Sequence, residues 1–146
     1  MAELAHDLPF TGVAGPGVAV DVVLPEGLWL VSGVDIAPNT ISAGRHWLAP
    51  DRVLVVGDVT PDGAFVSDVT DGYIVLDITG PNAAALLAMA TTLPMAALSD
   101  EHCAQTQFAG VTVLLAGLPT GLRLFVERPL AGWLLAWLNV AVSALG

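Results

Sequence analysis

The chain has no lysine. Its 146 residues carry only Arg45, Arg52, Arg123 and Arg128 as cations against 14 carboxylates, a net charge of −10. A phosphate backbone is held by basic side chains, so this surface excludes nucleic acid as a main partner. Cysteine is almost as scarce. Cys103 is the single one, which excludes an internal disulfide and a zinc site of the usual cysteine-based kind. His6, His46 and His102 are scattered rather than set four residues apart, so a metal site made by this chain alone is not expected. Missing too are a G-x-G-x-x-G run and a Gly-Lys-Ser/Thr loop, which removes the usual ways of cradling a dinucleotide or nucleotide phosphate. Charge of both signs is thin: 12% of residues, roughly half the usual share.

What fills the space is apolar. Hydrophobic residues make up 55% of the chain and mean hydropathy is +0.74. A chain of this length forms one domain, and a domain of this size leaves roughly a third of its chain's surface in water. An apolar excess this large therefore needs a membrane or a partner protein to cover it. The best candidate span, Leu130 to Leu145, has 16 residues, includes Asn139 and Ser143, and shows helical amphipathic spacing. About twenty apolar residues are needed to cross. Met1-Ala-Glu-Leu-Ala-His-Asp lacks the positive start of a signal peptide. The expectation is a cytoplasmic protein, off the membrane, with a large protein interface.

The clearest local structure lies between Asp68 and Thr91. Asp71-Gly72 is turn chemistry, and Ile74, Leu76 and Ile78 alternate with Tyr73, Val75 and Asp77, the period of a strand with one face on a core. Thr79-Gly80-Pro81 ends that strand. Pro81 suits a first helical position and Ala83 to Met89 are strong helix formers, with Leu86, Leu87 and Ala90 as the inward stripe. The strand-Gly-Pro-helix corner is read as a tight structural turn rather than an anion site.

Residues 1–17, with Pro9, Gly12, Gly15, Pro16 and Gly17, read as an extended N-terminal arm, and residues 18–146 as a single α+β domain. Val18–Leu24 and Leu28–Ser32 are strands around a Pro25-Glu26-Gly27 turn. Arg45 to Gly57 is a hairpin turning at Pro50-Asp51, and His46 beside Trp47 is a surface or packing residue. Cys103–Phe108, Val111–Ala116 and Leu122–Val126 are further strands, and Pro129 opens a last helix. In that helix Leu130, Trp133, Leu134, Trp137, Leu138, Ala141 and Leu145 form one stripe. The other face, Ala131, Leu135, Ala136 and Val140, is also uncharged, so the expectation gives it to a partner. The order of elements from Tyr73 predicts an α+β fold: a largely antiparallel sheet, completed by the Val53 strand, with two helices packed on one face.

Four segments, in order, resemble one family. Trp47-Leu-Ala-Pro-Asp-Arg-Val-Leu-Val, the pair Asp68-Val-Thr-Asp-Gly and Thr79-Gly-Pro-Asn-Ala, Cys103-Ala-Gln-Thr-Gln-Phe-Ala-Gly-Val, and Val126-Glu-Arg-Pro-Leu-Ala-Gly-Trp-Leu-Leu-Ala-Trp-Leu are similar to segments of the gamma subunit of heterotetrameric sarcosine oxidase and related amine-demethylating complexes. The resemblance spans Asp35 to the C-terminus. It implies a reduced aminomethyltransferase-like, ferredoxin-like fold and a structural subunit without catalytic, cofactor-binding or metal residues of its own. It also implies alpha, beta and delta partner subunits, with FAD, FMN, NAD and tetrahydrofolate carried by those partners. Glu101-His102-Cys103-Ala104 stands where related iron–sulfur repair proteins have Lys-Gly-Cys-Tyr. Cys103 is expected to be a packing residue whose thiol pKa is raised by Asp100 and Glu101. The alternative is a small free-standing folate- or pterin-binding aminomethyltransferase-like enzyme, using Asp68, Asp71 and His102 as acid–base residues.

Overall fold

Alternation along the Tyr73 strand organises the architecture in the computed structural model, which describes residues 10–99 and 101–145. In chain order the strands are β1 (Val13–Gly15), β2 (Val18–Val23), β3 (Leu28–Ser32), β4 (Ile41–Ser42), β5 (Arg45–Ala49), β6 (Arg52–Val56), β7 (Phe65–Asp68), β8 (Tyr73–Thr79), β9 (Cys103–Phe108), β10 (Val111–Leu118) and β11 (Gly121–Glu127). Helix α1 (Ala83–Ala90) follows β8 and helix α2 (Arg128–Ser143) follows β11. No helix among the described residues is long and apolar enough to cross a membrane.

All strand pairs are antiparallel. Six strands form one sheet in the order β1-β2-β8-β11-β10-β9, and five form a second in the order β4-β5-β6-β3-β7. In the larger sheet Ile78 lies between Val20 and Leu122, and Leu76 between Val22 and Leu124. These rows face the helices, where Leu86, Leu87, Leu134 and Leu138 close a core with Val113, Leu115 and Phe108. The opposite rows, Val75, Phe125, Leu114, Ala116 and Cys103, pack on Leu28 and Leu54 of the smaller sheet. The molecule is therefore three layers: helices, sheet, sheet.

The α+β class and the two helices on one face of an antiparallel sheet hold. The Val53 strand does not complete that sheet: β6 lies in the second one, between β5 and β3. The reason is that β2 already occupies the place beside β8, while Val75, Leu114 and Phe125 are apolar on the face away from the helices. A sheet buried on both faces needs a second cover. The N-terminal arm divides as well. Residues 1–9 lie outside the described residues, whereas Val13–Gly15 pair with β2 as an edge strand.

Helix α2 is rotated from the expected stripe. Ala131, Leu134, Leu135, Leu138, Ala141 and Val142 are buried, and Leu130, Trp133 and Val140 are exposed. Trp137 keeps its inward place, its ring edge-on to Phe108 at 5.9 Å. Close approach selects this register. A Cβ on Gly15 of β1 would stand 2.6 Å from the Val142 carbonyl oxygen, so a glycine at that position lets β1 lie directly on the Val142 side of α2. Helix α1 starts two residues later than the proline pattern predicts, at Ala83, with Asn82 at its N-cap and Pro81 before it.

Candidate functional site

The Gly80-Pro81 corner is closed by the chain itself. Gly80 has φ 110°, and a Cβ there would meet the Gly17 carbonyl oxygen. The Asn82 backbone N–H donates to that same carbonyl at 2.8 Å, and its side-chain amide donates to the Pro16 carbonyl at 2.7 Å. The β1–β2 turn thus occupies the approach to the start of α1, as expected of a structural corner.

A groove of about 950 Å³ opens where β3, β7, β8 and the start of α2 meet. Asp68, Asp71, Glu26 and Glu127 line it, with Leu30, Val69, Tyr73 and Pro129 as apolar walls. Its floor is held by Thr70, whose hydroxyl accepts from the Leu28 N–H at 2.9 Å and donates to the Asp68 carboxylate at 2.6 Å. The Thr70 N–H also donates to that carboxylate, at 3.0 Å. These two hydrogen bonds hold the Asp68 carboxyl below its ordinary pKa, the hydroxyl contributing more. Asp68 is therefore a turn former kept ionised, as aspartates beside turns commonly are. Asp71 accepts from Arg128 Nη1 through its backbone carbonyl at 3.3 Å. Burial raises the Tyr73 phenol, and the neighbouring Glu127 charge raises it further.

The structure brings Asp68 and Asp71 together and leaves His102 out. His102 bridges to Thr40 at the end of β4, and its Nδ1 lies 2.8 Å from Ser99 Oγ. β4 and β7 are opposite edges of the five-stranded sheet, four strand spacings or roughly 19 Å apart. Asp68 and His102 cannot share a proton across that distance. The groove also suits cations rather than a dinucleotide's phosphates or folate's carboxylates, because its four ionisable acids repel anions. No cluster of three His, Cys, Asp or Glu among the described residues is placed to hold a metal.

Two groups lie between the sheets, His46 and Cys103. Of the surface and packing readings of His46, the structure shows the packing one: it is 6% exposed. Its Nδ1 lies 3.1 Å from the Gly44 carbonyl and 3.2 Å from the Leu54 carbonyl, so that nitrogen carries the proton, and the ring meets Phe125 edge-on at 5.1 Å. Burial is the main cause lowering its pKa, and the Arg123 charge lowers it further. Cys103 packs on its strand as expected, donating weakly to the Thr40 and Trp47 carbonyls at 3.4 and 3.5 Å. Its thiol is pushed up to about 11 by burial. Burial, and not the Glu101 charge, is the cause, and Asp100 lies outside the described residues.

Sequence reasoning missed Glu26 and Glu127 as neighbours of Asp68 because only the topology brings them together. It also missed the Asp77–Arg123 pair, a two-point ion pair at 2.7 and 3.0 Å. Opposite charges directly across adjacent strands, Asp77 against Arg123 in the β8–β11 register, were the available signal.

No model of a known protein family and no curated protein sequence matches the chain. A solved structure does: "Heterotetrameric Sarcosine Oxidase from Corynebacterium sp. U-96 in complex with pyrrole 2-carboxylate". The match covers 97% of this chain and 92% of that one at 20% identity, with a TM-score of 0.74. The two chains share a fold. The correspondence runs the length of both, so the second sheet, the groove walls and α2 belong to a common architecture rather than to an embellishment of it.

Proposed function

We propose that the chain is a gamma-type structural subunit of a sarcosine oxidase-like complex that oxidatively demethylates an N-methyl amine in the cytoplasm. The end-to-end likeness to a chain of a heterotetrameric sarcosine oxidase carries this reading, and the four resembling segments from Trp47 to Leu138 support it. The partners are alpha, beta and delta subunits, which hold FAD, FMN, NAD and tetrahydrofolate. This chain contributes surface rather than chemistry: the groove lined by Glu26, Asp68, Asp71 and Glu127 is anionic and sets no base against a nucleophile. The free-standing folate- or pterin-binding enzyme loses its acid–base set, since Asp68 and His102 stand at opposite edges of a sheet.

Coexpression of a tagged chain with alpha, beta and delta chains tests the proposal. The tag should recover a flavin-absorbing assembly that consumes sarcosine, and the tagged chain expressed by itself should show only protein absorbance. Stoichiometric flavin or folate on the isolated chain, or flavoprotein chains that assemble without it, would overturn the reading.

A further inference from the structure

We infer that the outward ridge of α2 and the acidic groove at its start form one continuous docking surface for a different polypeptide, one that presents apolar side chains flanked by arginine or lysine. The inference deepens the subunit reading and rests on it. Three observations carry it. Leu130, Trp133 and Val140 are 38%, 54% and 70% exposed, and no charged residue occurs from Pro129 to the C-terminus. A ridge this apolar, with a tryptophan at its middle, has the composition of an interface core, where aromatic residues are enriched and charge is depleted.

Continuity comes from the helix itself. Pro129 is a wall of the groove, Trp133 lies four residues on and Val140 seven beyond that, all on one face. The surface thus runs from the four carboxylates along about 17 Å of helix.

Charge selects the occupant. The groove presents Glu26, Asp68, Asp71 and Glu127; Arg123 is engaged by the Asp77 carboxylate and Arg45 by the Ser42 carbonyl, and Arg128 and Arg52 at its margin, beside Asp71 and Tyr73, leave the four acids in excess. A second copy would bring a net charge of −10 to the same place, and like charges facing one another oppose docking. A basic, apolar partner face meets both halves of the surface at once.

The experiment compares wild type, Trp133→Ser, Val140→Ser and the double variant Asp71→Asn/Glu127→Gln, each tagged and coexpressed with alpha, beta and delta chains. Far-ultraviolet circular dichroism and Tm of each isolated chain should match wild type, since all four positions stand at the surface. Trp133→Ser should weaken capture of the flavin-bearing chains at least tenfold, and Val140→Ser less. The groove variant should bind with a flatter dependence on salt between 50 and 500 mM sodium chloride. If wild type captures the flavoprotein and all three variants capture it equally well with the same salt dependence, the docking surface lies elsewhere while the subunit reading stands. If wild type captures none, the subunit reading fails and this inference with it. If the isolated chain sediments as a dimer that Trp133→Ser dissociates, a second copy covers the ridge and the inference is overturned. Should Trp133→Ser unfold, Val140→Ser and the groove variant decide the matter alone.

Discussion

The two faces of the six-stranded sheet are built from different materials. Toward the helices the core is apolar throughout, Ile74, Leu76, Ile78, Leu122 and Leu124 against leucines of α1 and α2, with Phe108 against Trp137 at one end. Toward the second sheet it holds Phe125, Cys103 and the buried His46, with the Asp77–Arg123 pair on the same phase of the strands. A layer of this kind is held by packed area alone and punishes charge. The mixed layer is held by fixed polar partners as well as by area, so its stability responds to protonation and hydrogen bonding. The first face behaves as a generic core, and the second specifies which sheet sits where.

The sharpest break falls on the helix face. Leu135 is 7% exposed and packs with the helix-side core, so Leu135→Glu loses about 1.5–3 kcal/mol of burial and adds the cost of a desolvated carboxylate. That total approaches the roughly 5–15 kcal/mol that holds a whole domain together. The isolated variant should lose its native circular dichroism signal and its cooperative melt. A variant that keeps both would show that the helix turns its other face inward, and Trp133, two residues away, would then belong to the core.

A smaller effect, specific to the inter-sheet layer, comes from His46. Burial holds its folded pKa below the value of about 6.5 found in the unfolded chain. As pH falls through 6.5 the unfolded state takes up the proton first, so it binds more protons than the native state. Stability is therefore full above about pH 6.5 and declines as pH drops toward the folded pKa, by at most about 1.4 kcal/mol per pH unit. His46→Asn keeps an N–H where Nδ1 donates to the Gly44 and Leu54 carbonyls but cannot titrate. Between pH 7.5 and 5.5 the Tm of wild type should fall more steeply than that of His46→Asn. Parallel slopes would place the pH dependence outside the inter-sheet layer, because His6 and His102 are common to both proteins.

The contrast between the faces also explains what could be read without coordinates. The β8–α1 unit was legible because Asp71-Gly72 and Gly80-Pro81 punctuate it and a strict alternation runs between them. The second sheet was not, since Leu28–Ser32 and Arg52–Val56 are β-rich without any local mark of their partner. The usable signal was the apolar character of both phases in Ile74-Val75-Leu76 and Val113-Leu114-Leu115-Ala116, which demands cover on two sides. The rotation of α2 was illegible for the opposite reason: with hardly a polar residue between Pro129 and Val142, several stripes satisfy helical spacing. Close packing at Ala131, Ala141 and Gly15 chooses among them, and no periodicity records that. The groove is a product of topology, joining Glu26 after β2 to Glu127 before α2.

The mildest test asks whether the inter-sheet layer contains chemistry or only packing. Cys103 Sγ points at the Thr40 and Trp47 carbonyls inside that layer. With a thiol pKa of about 11, about one molecule in a thousand would be thiolate at pH 8, and thiolate is the reactive form. Native protein should leave a chromogenic disulfide reagent unreacted over minutes at that pH and release one equivalent on addition of denaturant. Cys103→Ala removes two weak S–H contacts and a small volume, a loss of about 1 kcal/mol, and in the complex proposed above turnover should stay within a few-fold of wild type. Rapid labelling of the folded chain would mean that the two sheets part near β9 often enough to expose Sγ. Loss of turnover in a Cys103→Ala complex that still assembles would mean that this layer takes part in the chemistry, and the division of labour between the faces would have to be redrawn.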